Sequence, residues 1–168
     1  MRVAFFDRDG TIIEDVPDKE WGRVESPVWI RGAMDTLEAV RGKGYEVIIV
    51  TNQYIINEGY ITAEQYEHMN RQMLATLRER SIPILDVFHC PHARDAGCCC
   101  IKPNTEMIEQ AIERYPAIKL GESFMIGDSD VDVQLATNAG IRGFGIGVQS
   151  DDPAVTTLER VADLLKYI

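Results

Sequence analysis

The sequence predicts an α/β fold: a three-layer, doubly wound parallel sheet with helices on both faces. Three observations carry it. Short apolar runs at 3–6, 46–50, 85–88 and 123–126 have the length of buried parallel strands. Segments with apolar residues at helical spacing lie between them. Most of the runs also end in a polar cluster, as expected where an open α/β sheet presents the carboxyl ends of its strands to a ligand.

Val3 to Phe6 is the first strand, closed by Gly10. Asp15 to Pro27 reads as a polar loop. Ala33, Leu37 and Val40 give the first helix an inner stripe over Ala33 to Arg41, and Gly42 or Gly44 ends it. Glu46 to Val50 is the second strand. Thr62 caps a long helix reaching about Arg80, with Gln65 three residues on as its capping-box partner. Leu85 to Phe88 is the third strand, and Asn104 to Tyr115 is helical with Met107, Ile108, Ala111 and Ile112 facing inward. Ser123 to Ile126 is a strand, Val131 to Ala139 a helix stopped by Gly140, and Arg142 to Ile146 a last strand. Thr156 to Tyr167 is expected to form a terminal helix.

The 168 residues, 45% hydrophobic, suit one domain (1–168) with a sizeable core. A net charge of -10 argues against a general binder of nucleic-acid backbones, because its long-range field repels polyanions. A small phosphorylated metabolite is compatible, since a local metal and a lysine offset that field. No apolar run is long enough to span a bilayer, and the amino terminus enters a strand directly, so the expectation is a cytoplasmic protein without membrane contact. A monomer is expected.

The chemistry starts at Asp7-Arg8-Asp9-Gly10-Thr11. Asp7 and Asp9, two apart at a strand end, can both reach a pocket there, one to attack and the other to manage a proton. Two carboxylates so close call for a cation, for which magnesium is the natural candidate. Thr51, Asn52 and Gln53 follow the second strand with groups able to donate hydrogen bonds to phosphate oxygens, and Lys102 supplies a positive charge. Gly127-Asp128-Ser129-Asp130-Val131-Asp132 adds further carboxylates after the Ser123 to Ile126 strand. Taken singly, Thr51 could end a strand, Lys102 could be a surface charge, and Asp128 and Asp132 could cap a helix. Those readings do not explain why all of these clusters fall where strand ends converge.

All four cysteines lie within residues 90–100. Such clustering does not suit a disulfide framework. Cys90, His92, Cys98 and Cys100 make a Cys-x-His and Cys-x-Cys pair of pairs, which offers three thiolates and an imidazole to a tetrahedral zinc ion. Four protein ligands leave no open position, so the expected site is structural. Cys99 is the spare thiol, and a shift of register could substitute it for a neighbour.

Asp7-Arg8-Asp9-Gly10-Thr11 resembles the first motif of haloacid-dehalogenase-like (HAD) phosphohydrolases. Thr51-Asn52-Gln53, Lys102 and Gly127-Asp128 with Asp132 resemble the second, third and fourth motifs, in the family's order. The Cys-Pro-His and Cys-x-Cys-x-Lys-Pro arrangement is similar to the zinc loop of the branch containing histidinol-phosphate and heptose-bisphosphate phosphatases. The resemblance spans about Arg2 to Gly147 and implies an aspartyl-phosphate mechanism. Asp7 would be the nucleophile and Asp9 the general acid and base. Thr51, Asn52 and Lys102 would stabilise the transferring phosphoryl group. Magnesium would be held by Asp7, Asp9 and Asp128, with Asp132 behind them. The spacing from Asp9 to Thr51 and from Thr51 to Lys102 leaves no room for a separate cap domain, which favours small phosphate esters such as sugar, polyol or amino-alcohol phosphates.

Two departures bear on the substrate. Glu58 stands where the heptose branch carries a cation, and Ile101 replaces the arginine that usually precedes the third-motif lysine. A receiver-like signalling module and a nucleic-acid end-processing phosphatase are the alternatives. Asp9, a base beside the acyl phosphate, weighs against the first; the acidic balance and the zinc loop weigh against the second.

Overall fold

The computed structural model describes residues 1–168, and its centre is a six-stranded, wholly parallel sheet. The strands are β1 (Arg2–Phe6), β2 (Tyr45–Asn52), β3 (Asp86–Cys90), β4 (Phe124–Gly127), β5 (Arg142–Ile146) and β6 (Val155–Leu158). Their spatial order is β3-β2-β1-β4-β5-β6, so the chain winds outward from β1 first on one side and then on the other. The reversal lies between β1 and β4, where connections on opposite sides leave a crevice at the carboxyl ends.

Side chains alternate across the sheet because successive strand residues point to opposite faces. Ala4, Phe6, Val47, Ile49, Phe124 and Ile126 join the larger buried cluster with residues of α1 (Ala33–Gly42) and α2 (Ala63–Glu79). Val3, Phe5, Ile48, Val50 and Met125 join the smaller one, against α3 (Glu106–Arg114) and α4 (Asp130–Ala139). This is the expected three-layer arrangement. The capping box of α2 forms as expected: the Thr62 hydroxyl accepts from the Gln65 amide at 3.1 Å, and the Gln65 side chain accepts from the Thr62 amide at 2.8 Å. No helix is long and apolar enough to cross a membrane.

Two expectations need correction. The segment from Thr156 to Tyr167 is not a helix: Val155–Leu158 adds β6 to the sheet beside β5, and only Val161–Lys166 coils, as a 3-10 turn. Leu158, Val161 and Leu164 recur every three residues and are all buried, a spacing that an α-helix and this strand-plus-turn both satisfy. The β-branched Val155, Thr156 and Thr157 then favour pairing at an open sheet edge. The loop from Asp15 to Pro27 contains a 3-10 turn, Asp18–Arg23, anchored by Trp21, which is 6% exposed.

Candidate active site

Asp7 follows the last residue of β1, and its amide donates to the Ile126 carbonyl of β4 at 2.9 Å, which fixes it at the crevice. Beyond it the chain turns through Gly10 at φ +82°, a conformation that L side chains rarely adopt. A Cβ on Gly10 would lie 2.0 Å from Asp128 Oδ2, and one on Gly127 would lie 2.2 Å from the Asp132 carboxyl group. Both glycines let backbone approach carboxylates where a side chain could not fit. Asp128 follows β4, and Ser129 caps α4, with Asp132 Oδ2 accepting from the Ser129 amide at 3.0 Å and from its hydroxyl at 2.6 Å.

Lys102 reaches this cluster from across the sheet. Its Nζ donates to Asp7 Oδ1 at 2.6 Å, to Asp132 Oδ1 at 2.7 Å and to the Val50 carbonyl at 3.0 Å, with all three side chains buried. Asn52 holds the Lys102 main chain on both sides: its Oδ1 accepts from the Lys102 amide at 2.8 Å and its Nδ2 donates to the carbonyl at 3.2 Å. The structure thus brings Asp7, Asp9, Thr51, Asn52, Lys102 and Asp128 to one cleft of about 340 Å³.

The charges do not balance. One ammonium faces Asp7 and Asp132, and ligand oxygens of Asp7, Asp128 and Asp132 lie within 4.8 Å of one another. Burial pushes the Asp7 carboxyl well above its ordinary range, and the Asp132 and Asp9 charges add to that against the pull of Lys102. Burial opposes the Lys102 charge, but Asp132 and Asp7 outweigh it and hold the lysine protonated. Burial and the Asp132 charge raise Asp128 from 3.8 to about 6. A group of three carboxylates with one ammonium, lined by oxygen donors and cradled by Gly10, fits a hard divalent cation such as Mg²⁺.

The Asp128 shift has a testable sign. A folded-state value near 6 against 3.8 means that the native chain keeps a proton the unfolded chain releases, so this stabilising contribution is full below pH 4 and is lost as pH rises through 6. After allowance for partial solvent exposure the loss is about 1–2 kcal/mol. Asp128→Asn should therefore stabilise the magnesium-free protein by that amount at pH 7 and leave it unchanged at pH 4, as read by urea unfolding.

Asp9 is held from behind. Arg8, 1% exposed, donates through Nε to Asp9 Oδ1 at 2.8 Å and through Nη2 to Oδ2 at 3.1 Å, and its Nη1 donates to Asn70 Oδ1 at 2.8 Å. Gln53 Nε2 donates to Asp9 Oδ2 at 2.6 Å and to the Thr51 hydroxyl at 2.9 Å. Gln53 is completely buried and does not line the cleft, so its amide serves Asp9 and Thr51 instead of an incoming phosphate. The Arg8 role was not evident from sequence; the available signal was a guanidinium between two carboxylates at the end of an apolar strand.

The outer part of the cleft is built by loops. Asp15, Asp18, Trp21, Tyr54 and Arg94 line it, and no domain is inserted before α1 or between β2 and α2. Arg94 comes from the cysteine-bearing loop, another site residue that motif spacing could not identify.

In that loop, Cys90, His92, Cys98 and Cys100 converge, and Cys99 points elsewhere as an exposed thiol. Cys90 Sγ lies 2.8 Å from Cys100 Sγ, 3.5 Å from Cys98 Sγ and 3.5 Å from His92 Nδ1, and His92 Nδ1 lies 3.1 Å from Cys100 Sγ. The edges of a tetrahedron with metal–sulfur bonds of about 2.3 Å would be about 3.7 Å, so a small expansion admits a zinc ion. Burial raises the Cys90 thiol well above its ordinary value, and the contact with Cys100 adds to it. The donor set fits zinc.

Comparison with known proteins agrees with this geometry. A family profile described as HAD-hydrolase-like matches residues 99–166. The chain is 36% identical over 148 residues to a D-glycero-alpha-D-manno-heptose-1,7-bisphosphate 7-phosphatase of Photorhabdus laumondii, with 84% of this chain and 79% of that protein covered. It is 34% identical over 148 residues to the histidine biosynthesis bifunctional protein HisB of Campylobacter jejuni, where 88% of this chain matches 42% of the longer protein. In structure it resembles a D,D-heptose 1,7-bisphosphate phosphatase from B. bronchiseptica complexed with magnesium and phosphate, with a TM-score of 0.86, 22% identity and coverage of 99% and 97%.

Proposed function

Because the chain belongs to the HAD-like hydrolases and is a phosphatase acting on a small phosphate ester, we propose that it transfers the phosphoryl group of a sugar, polyol or amino-alcohol phosphate to Asp7 and then to water. The observation that carries this reading is the Asp7 carboxylate at the floor of the cleft, fixed by Lys102 at 2.6 Å.

Asp7 attacks phosphorus in line, forming an aspartyl-phosphate and breaking the bond to the alcohol oxygen. Asp9 gives its proton to the departing alkoxide, then accepts one from the water that hydrolyses the acyl phosphate. Arg8 and Gln53 orient Asp9 for both steps. Lys102 and the Thr51 hydroxyl stabilise charge on the phosphoryl oxygens, and Asn52 holds the Lys102 main chain in place. Asp132 orients Lys102 from behind. Asp7, the Asp9 carbonyl and Asp128 would hold Mg²⁺, which when bound supplies the charge neutralisation that lets a phosphate dianion approach carboxylates.

Zinc at Cys90, His92, Cys98 and Cys100 has a structural role in this reading: it ties the end of β3 to the segment that delivers Lys102, two residues past the last thiolate. Removing zinc with a chelator should cost about 3 kcal/mol of stability and lower Tm by roughly 6–12 °C, with activity falling at least tenfold at saturating magnesium. Unchanged Tm and activity in protein shown to be zinc-free would remove this role.

The direct test is phosphate release from a panel of phosphate monoesters with and without Mg²⁺. Magnesium-dependent turnover of at least one small ester is expected in a panel that contains histidinol phosphate and heptose bisphosphate among sugar, polyol and amino-alcohol phosphates. Turnover only of a phosphorylated oligonucleotide would overturn the proposal.

A further inference from the structure

The outer half of the cleft, where the leaving group must lie if the phosphatase reading holds, is charged in a way that bears on substrate choice. Asp15 and Asp18 line it beside the guanidinium of Arg94, and Glu58 holds Arg94 from outside the lining, so these four groups sum to a charge of -2. Arg94 is heavily committed. Its amide and its Nε each donate to Glu58 Oε1 at 3.0 Å, and its Nη2 donates to Glu58 Oε2 at 2.6 Å and to Asp18 Oδ2 at 2.9 Å. The guanidinium also lies 4.2 Å above the centre of the Tyr54 ring. An anion arriving at Arg94 finds Nε and Nη2 taken by carboxylates and only Nη1 open, so two-point capture requires displacing a carboxylate. Lys102 stands at the floor beside Asp7 and Asp132, where it serves the transferred phosphoryl group and not a second one.

We propose that the Arg94–Glu58–Asp18 clamp is a specificity device that rejects a second phosphate and selects monophosphates whose leaving group carries hydroxyl or ammonium donors. The residual carboxylates accept hydrogen bonds from such donors. They repel an additional dianion, and because Arg94 is half exposed that repulsion weakens as salt is added. The clamp uses no residue of the phosphoryl-transfer machinery, so it acts on partner choice and not on the chemical step.

The test compares kcat/KM for fructose 6-phosphate, O-phosphoethanolamine and fructose 1,6-bisphosphate, with p-nitrophenyl phosphate as a general substrate. The wild-type protein is expected to use the bisphosphate at least about tenfold less well than the better monophosphate, the two monophosphates distinguishing a hydroxyl-bearing from an ammonium-bearing leaving group. Glu58→Gln, and independently Asp18→Asn, should raise the bisphosphate-to-monophosphate ratio about tenfold by removing one negative charge and releasing Arg94 donors. A wild-type preference for the bisphosphate, or a ratio that Glu58→Gln lowers or leaves unchanged, would overturn the inference while leaving the phosphatase intact. Failure to hydrolyse every ester, p-nitrophenyl phosphate included, would overturn the underlying functional reading and the inference with it.

Discussion

Asp7→Asn is expected to abolish turnover, lowering kcat by at least about 10⁴-fold, without unfolding the protein. A carboxamide has the shape of the carboxylate but cannot form the acyl phosphate. The fold should tolerate the change because Lys102 keeps two of its three acceptors, Asp132 at 2.7 Å and the Val50 carbonyl at 3.0 Å. Burial already pushes the Asp7 carboxyl toward its neutral form, so a neutral isostere relieves repulsion from Asp132 and Asp9. Stability at pH 7 in the absence of magnesium should stay level or rise. Phosphate release and urea unfolding on the same preparation separate the two effects, and activity within tenfold of wild type would exclude Asp7 as the nucleophile.

Lys102→Met should damage both catalysis and stability. The methionine matches the volume of the lysine stem but leaves Asp7 and Asp132, 6% and 0% exposed, facing each other without the ammonium between them. Removing one partner of a buried ion pair typically costs about 3–5 kcal/mol, because the remaining charge has lost its hydration and gains nothing in return. The cost should be largest near neutral pH without magnesium and should shrink in acid, where the two carboxyls can take up protons. Activity should fall at least about 10³-fold, since the transferring phosphoryl group loses its fixed positive charge. Unfolding at pH 4 and pH 7, with and without Mg²⁺, measures the first effect, and a variant as stable as wild type at pH 7 would contradict the charge accounting.

Much of this arrangement was legible in the linear sequence because it depends on short-range chemistry. Thr62 and Gln65 announce the start of α2 since both halves of a capping box lie within one turn. The apolar runs announce buried strands, and the carboxylates after β1 and β4 fall at strand ends by position alone. The Cys-x-His and Cys-x-Cys pairs carry their own geometry, because ligands two positions apart can share a metal.

Other features arise only when distant segments meet. Val155–Leu158 became a strand because β5 offers it an open edge, and the apolar spacing of that segment suits a helix equally well. Gln53 and Asn52 sit beside each other in sequence, yet one turns back to Asp9 and the other forward to Lys102; β-strand alternation sets their opposite directions, but the partners come from other parts of the chain. Arg94 meets Glu58 and Asp18 across 36 and 76 residues. The elements from β1 to β5, the chemical class of the reaction and most of the polar groups that gather in the cleft follow from residue type and local spacing, and could be read before any folding was considered. The tertiary structure alone decided which charges neutralise one another, because Coulomb energy depends on distance in space and on burial, and neither is written in the order of the residues.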